Sequence, residues 1–376
     1  MRKVVIHTVI IVAGIFLTMT KSGAENNTYP ERTLLFTIDA MTSGLHEKIS
    51  LPGFENLMKE GVFYSEVYLP PPAHPDSGKK YPWTCSLPNP VLMAGTVFIG
   101  QENIKQHMIQ HSFQARPTAF AVNAWPYEAI SHGFTIYEDY SNGIFERVFQ
   151  DELSVEGAKK IIKKHNPEFI RIHCQGPGSA GHKSHRDKNK PYTGNIWHPG
   201  SPFIRQHQYV DSLLTEFVGW LKAEDLWSTT VLMVMGDHGQ GKSGGHPPFE
   251  TGSYKTQLII AGAAIRKNVS FPYAEITDIA PTIAWLHKVQ PPRYSNGRVL
   301  TEIIEESKQP RNIPKPMKEL TETLVDFKKY NEELYEKSFY SIDNIGIWHT
   351  GDAGNNYHEF VQNLRKNLIS LKQTTE

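Results

Sequence analysis

Six apolar and β-branched runs recur along the chain, at 33–38, 62–68, 118–122, 169–173, 230–235 and 257–261, separated by stretches with helical spacing. Runs without polar alternation suit strands buried on both faces, so their alternation with helices predicts an α/β fold: a mainly parallel central sheet flanked by helices on both faces. Phe54, Leu57 and Met58 form a helical stripe that Gly61 stops, and 155–164 and 210–221 follow the same period. Past Glu305 the strand runs cease and Lys and Glu become dense. There Met317, Leu320, Leu324, Phe327, Tyr330 and Leu334 recur at helical spacing, as do Tyr357, Phe360, Val361, Leu364 and Leu368. This predicts a main domain over 25–304 and a C-terminal helical appendage over 305–376.

At the start, Arg2 and Lys3 precede an apolar run from Val4 to Met19 and small residues ending at Ala24. The run is shorter than the ~20 residues a membrane span needs. Residues 1–24 therefore read as a cleaved secretory signal, which predicts a secreted or periplasmic protein with no stable membrane anchor after cleavage. The 376 residues carry 39 Lys plus Arg against 39 Asp plus Glu, so no net field would hold the chain on a polyanion and a nucleic-acid scaffold role is excluded. Its two cysteines exclude both a disulfide-built scaffold and a four-cysteine zinc site. Cys85 and Cys174 read as free thiols.

Ligands of open parallel sheets sit beyond the carboxyl ends of the strands, which directs attention to the residues there. Asp39 closes the first run, and Gly236-Asp237-His238-Gly239 follows the fifth, pairing a carboxylate with an imidazole on a glycine-flanked turn. Such a pair suits a divalent ion, although an isolated Asp-His-Gly is more often a plain turn. His182 follows the fourth run, and His246 lies eight residues past His238; both read as loop residues at the same edge. Ser86 precedes a predicted helix that includes 91–94, where it is either a nucleophile favoured by the helix dipole or only a cap. The segment from His182 to His207 is rich in Lys, Arg, His and aromatic residues. It reads either as a groove for an anionic or glycan substrate or as a solvated loop.

Taken together, these segments resemble the alkaline-phosphatase superfamily, especially its nucleotide pyrophosphatase/phosphodiesterase and sulfatase-like branches, over roughly residues 33–300. Ser86-Leu87-Pro88-Asn89 resembles the phosphodiesterase pattern Thr-Phe-Pro-Asn. The resemblance implies Ser86 as nucleophile and Asp39, Ser86, Asp237, His238, His182 and His246 as metal ligands. Asn89, Lys183 and Arg186 are implied substrate contacts. It further implies a divalent metal, zinc first with calcium or manganese as alternatives, in one or two ions, and a small anionic ester or glycan as substrate.

Two departures qualify this expectation. Two-metal relatives carry Asp four residues before the histidine matched by His182, where this chain has Gly178. That predicts a weakened or absent second ion unless Gln175, His185 or Asp187 substitutes, and an Asp at 178 is expected to recruit one. Sulfatases that use formylglycine carry Cys/Ser-x-Pro-x-Arg, whereas Pro90 follows Asn89 here and Leu87 stands two residues after Cys85. The leading expectation is thus hydrolysis of phosphate esters, diesters above monoesters, through a phosphoseryl intermediate. Hydrolysis of sulfate esters on glycans comes second, and a non-catalytic anion-binding protein third.

Overall fold

The computed structural model describes residues 30–69, 88–96, 106–246 and 250–305, together with 321–322, 324–326, 328–329 and 332. The signal segment, Cys85, Ser86 and the last predicted helix lie outside the described residues.

In chain order the elements are β1 (Arg32–Ile38), α1 (Leu45–Lys48), α2 (Pro52–Glu60), β2 (Gly61–Tyr68), α3 (Pro88–Ala94), α4 (Ile109–Ser112), β3 (Thr118–Val122) and β4 (Ile136–Asp139). Then follow α5 (Glu152–His165), β5 (Phe169–Cys174), α6 (Gly176–Arg186), α7 (Pro202–Ala223), β6 (Thr230–Met235), α8 (Thr251–Tyr254), β7 (Lys255–Gly262), β8 (Val269–Phe271), β9 (Ala274–Glu275) and α9 (Ile279–Leu286). The described strands form one sheet in the order β4-β3-β5-β1-β6-β7-β2-β8, with β9 beside β2. Only β7 runs antiparallel to its neighbours β6 and β2; the other pairings are parallel. All six predicted strands are present. The short β4, β8 and β9 were not foreseen, because too few residues carry an apolar pattern there.

Successive side chains of β1 divide between two cores, as the pleat requires. Leu34, Phe36 and Ile38 enter a core with Phe54 and Leu57 of α2, Val155 and Ile161 of α5, and Phe203 and Leu214 of α7. Leu35 enters the opposite core, with Val91 of α3, Ile109 of α4 and Ile279 and Ile283 of α9. This is the expected layering of helices on both faces. Leu324, on the stripe predicted for the C-terminal region, is buried in the second core.

The topology decides which strand ends meet. β1 lies between β5 and β6, with Ile38 beside Cys174 and Thr37 beside Met235. The residues that leave these three strands at their carboxyl ends are therefore neighbours, although they are far apart in sequence.

Helix α2 sits against this centre through a borrowed cap. Its own N-cap, Leu51, offers no side-chain acceptor. Asp211 of α7 instead accepts from Gly53 N at 2.9 Å and Phe54 N at 2.7 Å, satisfying amides that would otherwise be orphaned in a buried place. Replacing Asp211 by Ala is expected to lower stability by about 1–2 kcal/mol, the cost of a lost N-cap, read as a lower urea midpoint with an unchanged m-value.

Candidate metal and ester site

Asp39 follows β1 and Asp237 follows β6, and both carboxylates are buried. Asp237 accepts from Ala40 N at 3.2 Å, His238 N at 3.0 Å and Asn89 Nδ2 at 2.7 Å. Asp39 accepts from the Tyr127 hydroxyl at 3.1 Å. Burial opposes its ionisation, yet the adjoining imidazole of His173 and the nearby His238 hold its carboxyl well below the ordinary range.

His238 turns its Nε2 toward both acids, 3.6 Å from Asp237 Oδ2 and 3.9 Å from Asp39 Oδ1. Its Nδ1 lies 2.8 Å from the Gly239 carbonyl oxygen. A carbonyl only accepts, so Nδ1 carries a hydrogen, and the group facing the two carboxylates from Nε2 is either a proton or a bound cation. The backbone bond on the far nitrogen is also the support that metal-bound histidines use. Asp39, His173 and Asp237 each offer a ligand atom within 4.8 Å of the others. These donors fit a divalent ion.

Two further histidines approach from separate elements. Gly244 and Gly245 hold φ of +88° and +78°, which side-chain-bearing residues seldom adopt, and the resulting turn returns His246 over the site. The His246 ring centroid is 4.4 Å from that of His238 and 5.0 Å from that of His182. His182 was expected in a loop. It lies instead on α6, because Gly176-Pro177-Gly178 opens a helix directly after β5 and Pro177 suits its first turn. Burial first, and His246 second, depress its pKa to about 4, so the ring is neutral at pH 7.

The remaining candidates are distributed as follows. Asn89 has both ends of its amide engaged, donating to Asp237 and accepting from Arg171. Lys183 is exposed, its Nζ 4.3 Å from the centre of the Phe149 ring. Arg186 is exposed one turn beyond His182 and close enough to contribute to its lowered pKa. Of the substitutes considered for an Asp at 178, Gln175 donates to Ser179 Oγ, His185 is exposed, and Asp187 accepts from the Tyr192 hydroxyl at 2.6 Å. None of the three is gathered with Asp39. A Cβ at Gly178 would fall 1.6 Å from Asp39 Oδ1, so an added Asp would first have to dislodge the Asp39 carboxylate. The expectation that it would simply supply a ligand is corrected by this contact.

Sequence reasoning overlooked three residues here: Tyr127, Arg171 and His173. Arg171 and His173 are both fully buried. The signal for them was present, since a strand buried on both faces has no reason to include Arg and His in Phe169-Ile170-Arg171-Ile172-His173-Cys174 unless they are used. Cys174 is a buried free thiol, as expected. Beside the centre, a cleft of about 530 Å³ is lined by Thr42, Lys48, Trp197, Gln240, Lys242 and Lys255, among others.

The position of α6 depends on a second buried acid, Asp151. It accepts from Gly176 N at 2.9 Å, Asn123 Nδ2 at 3.0 Å and Gln206 Nε2 at 2.8 Å. Burial nevertheless raises its pKa to about 7. A carboxyl with a raised folded pKa adds stability that is complete below its unfolded value of ~3.9 and is lost as pH rises through the folded value. Wild type is accordingly expected to lose stability relative to Asp151→Asn between about pH 4 and pH 7. Urea midpoints of both proteins across that range provide the check; a difference that does not vary with pH would contradict it.

A family model described as Sulfatase matches residues 98–288, just over half of the 376-residue chain. Human GPI ethanolamine phosphate transferase 2, catalytic subunit, is 26% identical over 153 residues, which cover 39% of this chain and only 14% of that protein. Among solved structures, murine ectonucleotide pyrophosphatase/phosphodiesterase 5 superposes with a TM-score of 0.53 at 14% identity, covering 73% of this chain and 100% of the other. A 2-O GAG sulfatase superposes at 0.54 with 14% identity, covering 77% and 76%. These structural likenesses concern the fold, which is alkaline-phosphatase-like. Among the described residues no helix is long and apolar enough to cross a membrane.

Proposed function

The chain belongs to the sulfatase family, and on that premise we propose that it is an exported, metal-dependent hydrolase of phosphate esters, with diesters its preferred substrates. One observation carries this reading: the buried carboxylates of Asp39 and Asp237 lie with His173 at metal-ligand spacing, and His238 turns its Nε2 toward both acids. Asp39, Asp237 and His238 would hold a divalent ion, with zinc the first candidate given the imidazole donors. When bound, such an ion polarises the ester oxygens and lowers the pKa of the attacking hydroxyl.

Ser86 is the proposed nucleophile. Ser86 lies three residues before Asn89 in sequence, and the Asn89 side chain is bonded to Asp237. Its Oγ attacks phosphorus in line, the alkoxide leaves, and water then cleaves the phosphoseryl ester to return the hydroxyl. His182, neutral at pH 7, is suited to donating a hydrogen bond to an anionic oxygen or ligating an ion rather than protonating the leaving group. His246 faces it across the same space. Asn89 orients Asp237, and Arg186 supplies positive charge at the rim.

Sulfate esters are the competing substrate. The absence of Arg after Ser86-Leu87-Pro88-Asn89 disfavours formylglycine and with it the sulfatase route, while the family match keeps sulfate transfer within the fold's range. The cleft beside Lys48 and Trp197 mixes three lysines with Glu66 and Glu250, and Trp197 offers an aromatic face for a glycan or nucleoside leaving group.

Ser86→Ala is expected to lower kcat on a phosphodiester by about 10³-fold or more while leaving the circular dichroism spectrum unchanged. Activity at the wild-type level, or loss confined to Cys85→Ala, would reject Ser86. Paired aryl phosphodiester, phosphomonoester and sulfate ester substrates, assayed with zinc restored after chelation, should rank the diester first. A higher kcat/KM on the sulfate would transfer the assignment to sulfate esters.

A further inference from the structure

Gly178 and His173 are five residues apart, one at the start of α6 and one in β5, and both contact the Asp39 carboxylate. The space that a side chain at 178 would fill is occupied by Asp39 Oδ1, 1.6 Å from where its Cβ would be. On the other side of the same carboxylate, His173 Nε2 lies 3.4 Å from Oδ2. The two features are complementary: glycine at 178 lets Asp39 lean toward α6, and His173 flanks the carboxylate in that position.

His173 is otherwise hard to account for. Its ring is fully buried; Nδ1 has no hydrogen-bond partner among the described residues, and Nε2 has only the Asp39 carboxylate, 3.4 Å away. The unpartnered Nδ1 forfeits its hydration at a cost of about 1–3 kcal/mol. Its packing is specific, with the Tyr127 ring centroid 4.1 Å away while the Tyr127 hydroxyl donates to Asp39. Ligand atoms ~2.05 Å from a tetrahedral zinc lie ~3.3 Å apart, close to the separation of His173 Nε2 and Asp39 Oδ2.

We infer that His173 is an additional metal ligand, so that Asp39, His173, Asp237 and His238 form one centre with a single tight ion, while the second-ion acid missing at 178 is not replaced. This rests on the metal-dependent reading above and refines it. An added imidazole makes the donor set one nitrogen richer without adding negative charge, which favours zinc over calcium. His182 and His246 are then left to meet the ester's anionic oxygens.

The experiment is zinc titration of the chelated, full-length protein, with no substrate present. Wild type is expected to bind one tight ion per chain, and an anomalous-scattering map of the zinc-loaded crystal should put its peak beside His173 Nε2. His173→Ala is expected to weaken zinc binding by at least the 10–100-fold that even a supporting contact is worth, whereas His185→Ala, on the exposed face of α6, leaves it unchanged. Two equally tight ions in wild type, a peak between His182 and His246 away from His173, or wild-type zinc affinity in His173→Ala would each overturn the inference. If His173→Ala does not fold, the wild-type map decides. Zinc held at His173 in a protein that cleaves none of the three esters would leave this inference standing and remove the proposed function.

Discussion

The structure depends on bringing two carboxylates together out of water. Burying an ionised acid is costly unless it is paired and hydrogen-bonded, and two adjacent acids also repel each other. The molecule meets the first demand with oriented donors: Ala40 N, His238 N and Asn89 for Asp237, and Tyr127 for Asp39. The second demand, repulsion between the two acids, would be met by the proposed divalent ion. The surrounding scaffold makes sense as the means of holding that unfavourable arrangement ready.

Part of the compensation comes from below the site. Arg171 is fully buried in β5, its guanidinium carbon 5.1 Å from the Phe120 ring centre and 5.8 Å from that of Tyr127, and it donates to Asn89. Positive charge thus reaches Asp237 through a single intervening amide. Arg171, Asn89 and Asp237 form a line running from sheet to ligand, in which each member fixes the next.

Helix α6 joins this centre by close backbone approach. Its glycines face side chains of other segments: a Cβ at Gly176 would meet Asp151 Oδ2 at 2.2 Å, one at Gly178 Asp39 Oδ1, and one at Gly181 Gln240 Oε1 at 2.0 Å. The first two turns of the helix are therefore held against the ends of β1 and β6, and His182 is brought to the metal side. The same closeness leaves no room for an acid at 178 while Asp39 keeps its present place.

The sequence by itself determined the six main strands, because strands buried on both faces read as near-continuous apolar runs. It also determined that Asp39, Asp237 and His238 would follow strands, since strand ends are where an apolar run meets its first polar residue. It did not determine that the three converge. That was decided by the placement of β1 between β5 and β6, which is long-range pairing that local pattern does not encode. The helix carrying His182 was hidden by its glycines, which read as a loop until packing against Asp39 and Gln240 required them. His173 was legible in the sequence only as a polar residue inside a buried strand, and the tertiary structure was needed to show that its ring lies against the Asp39 carboxylate.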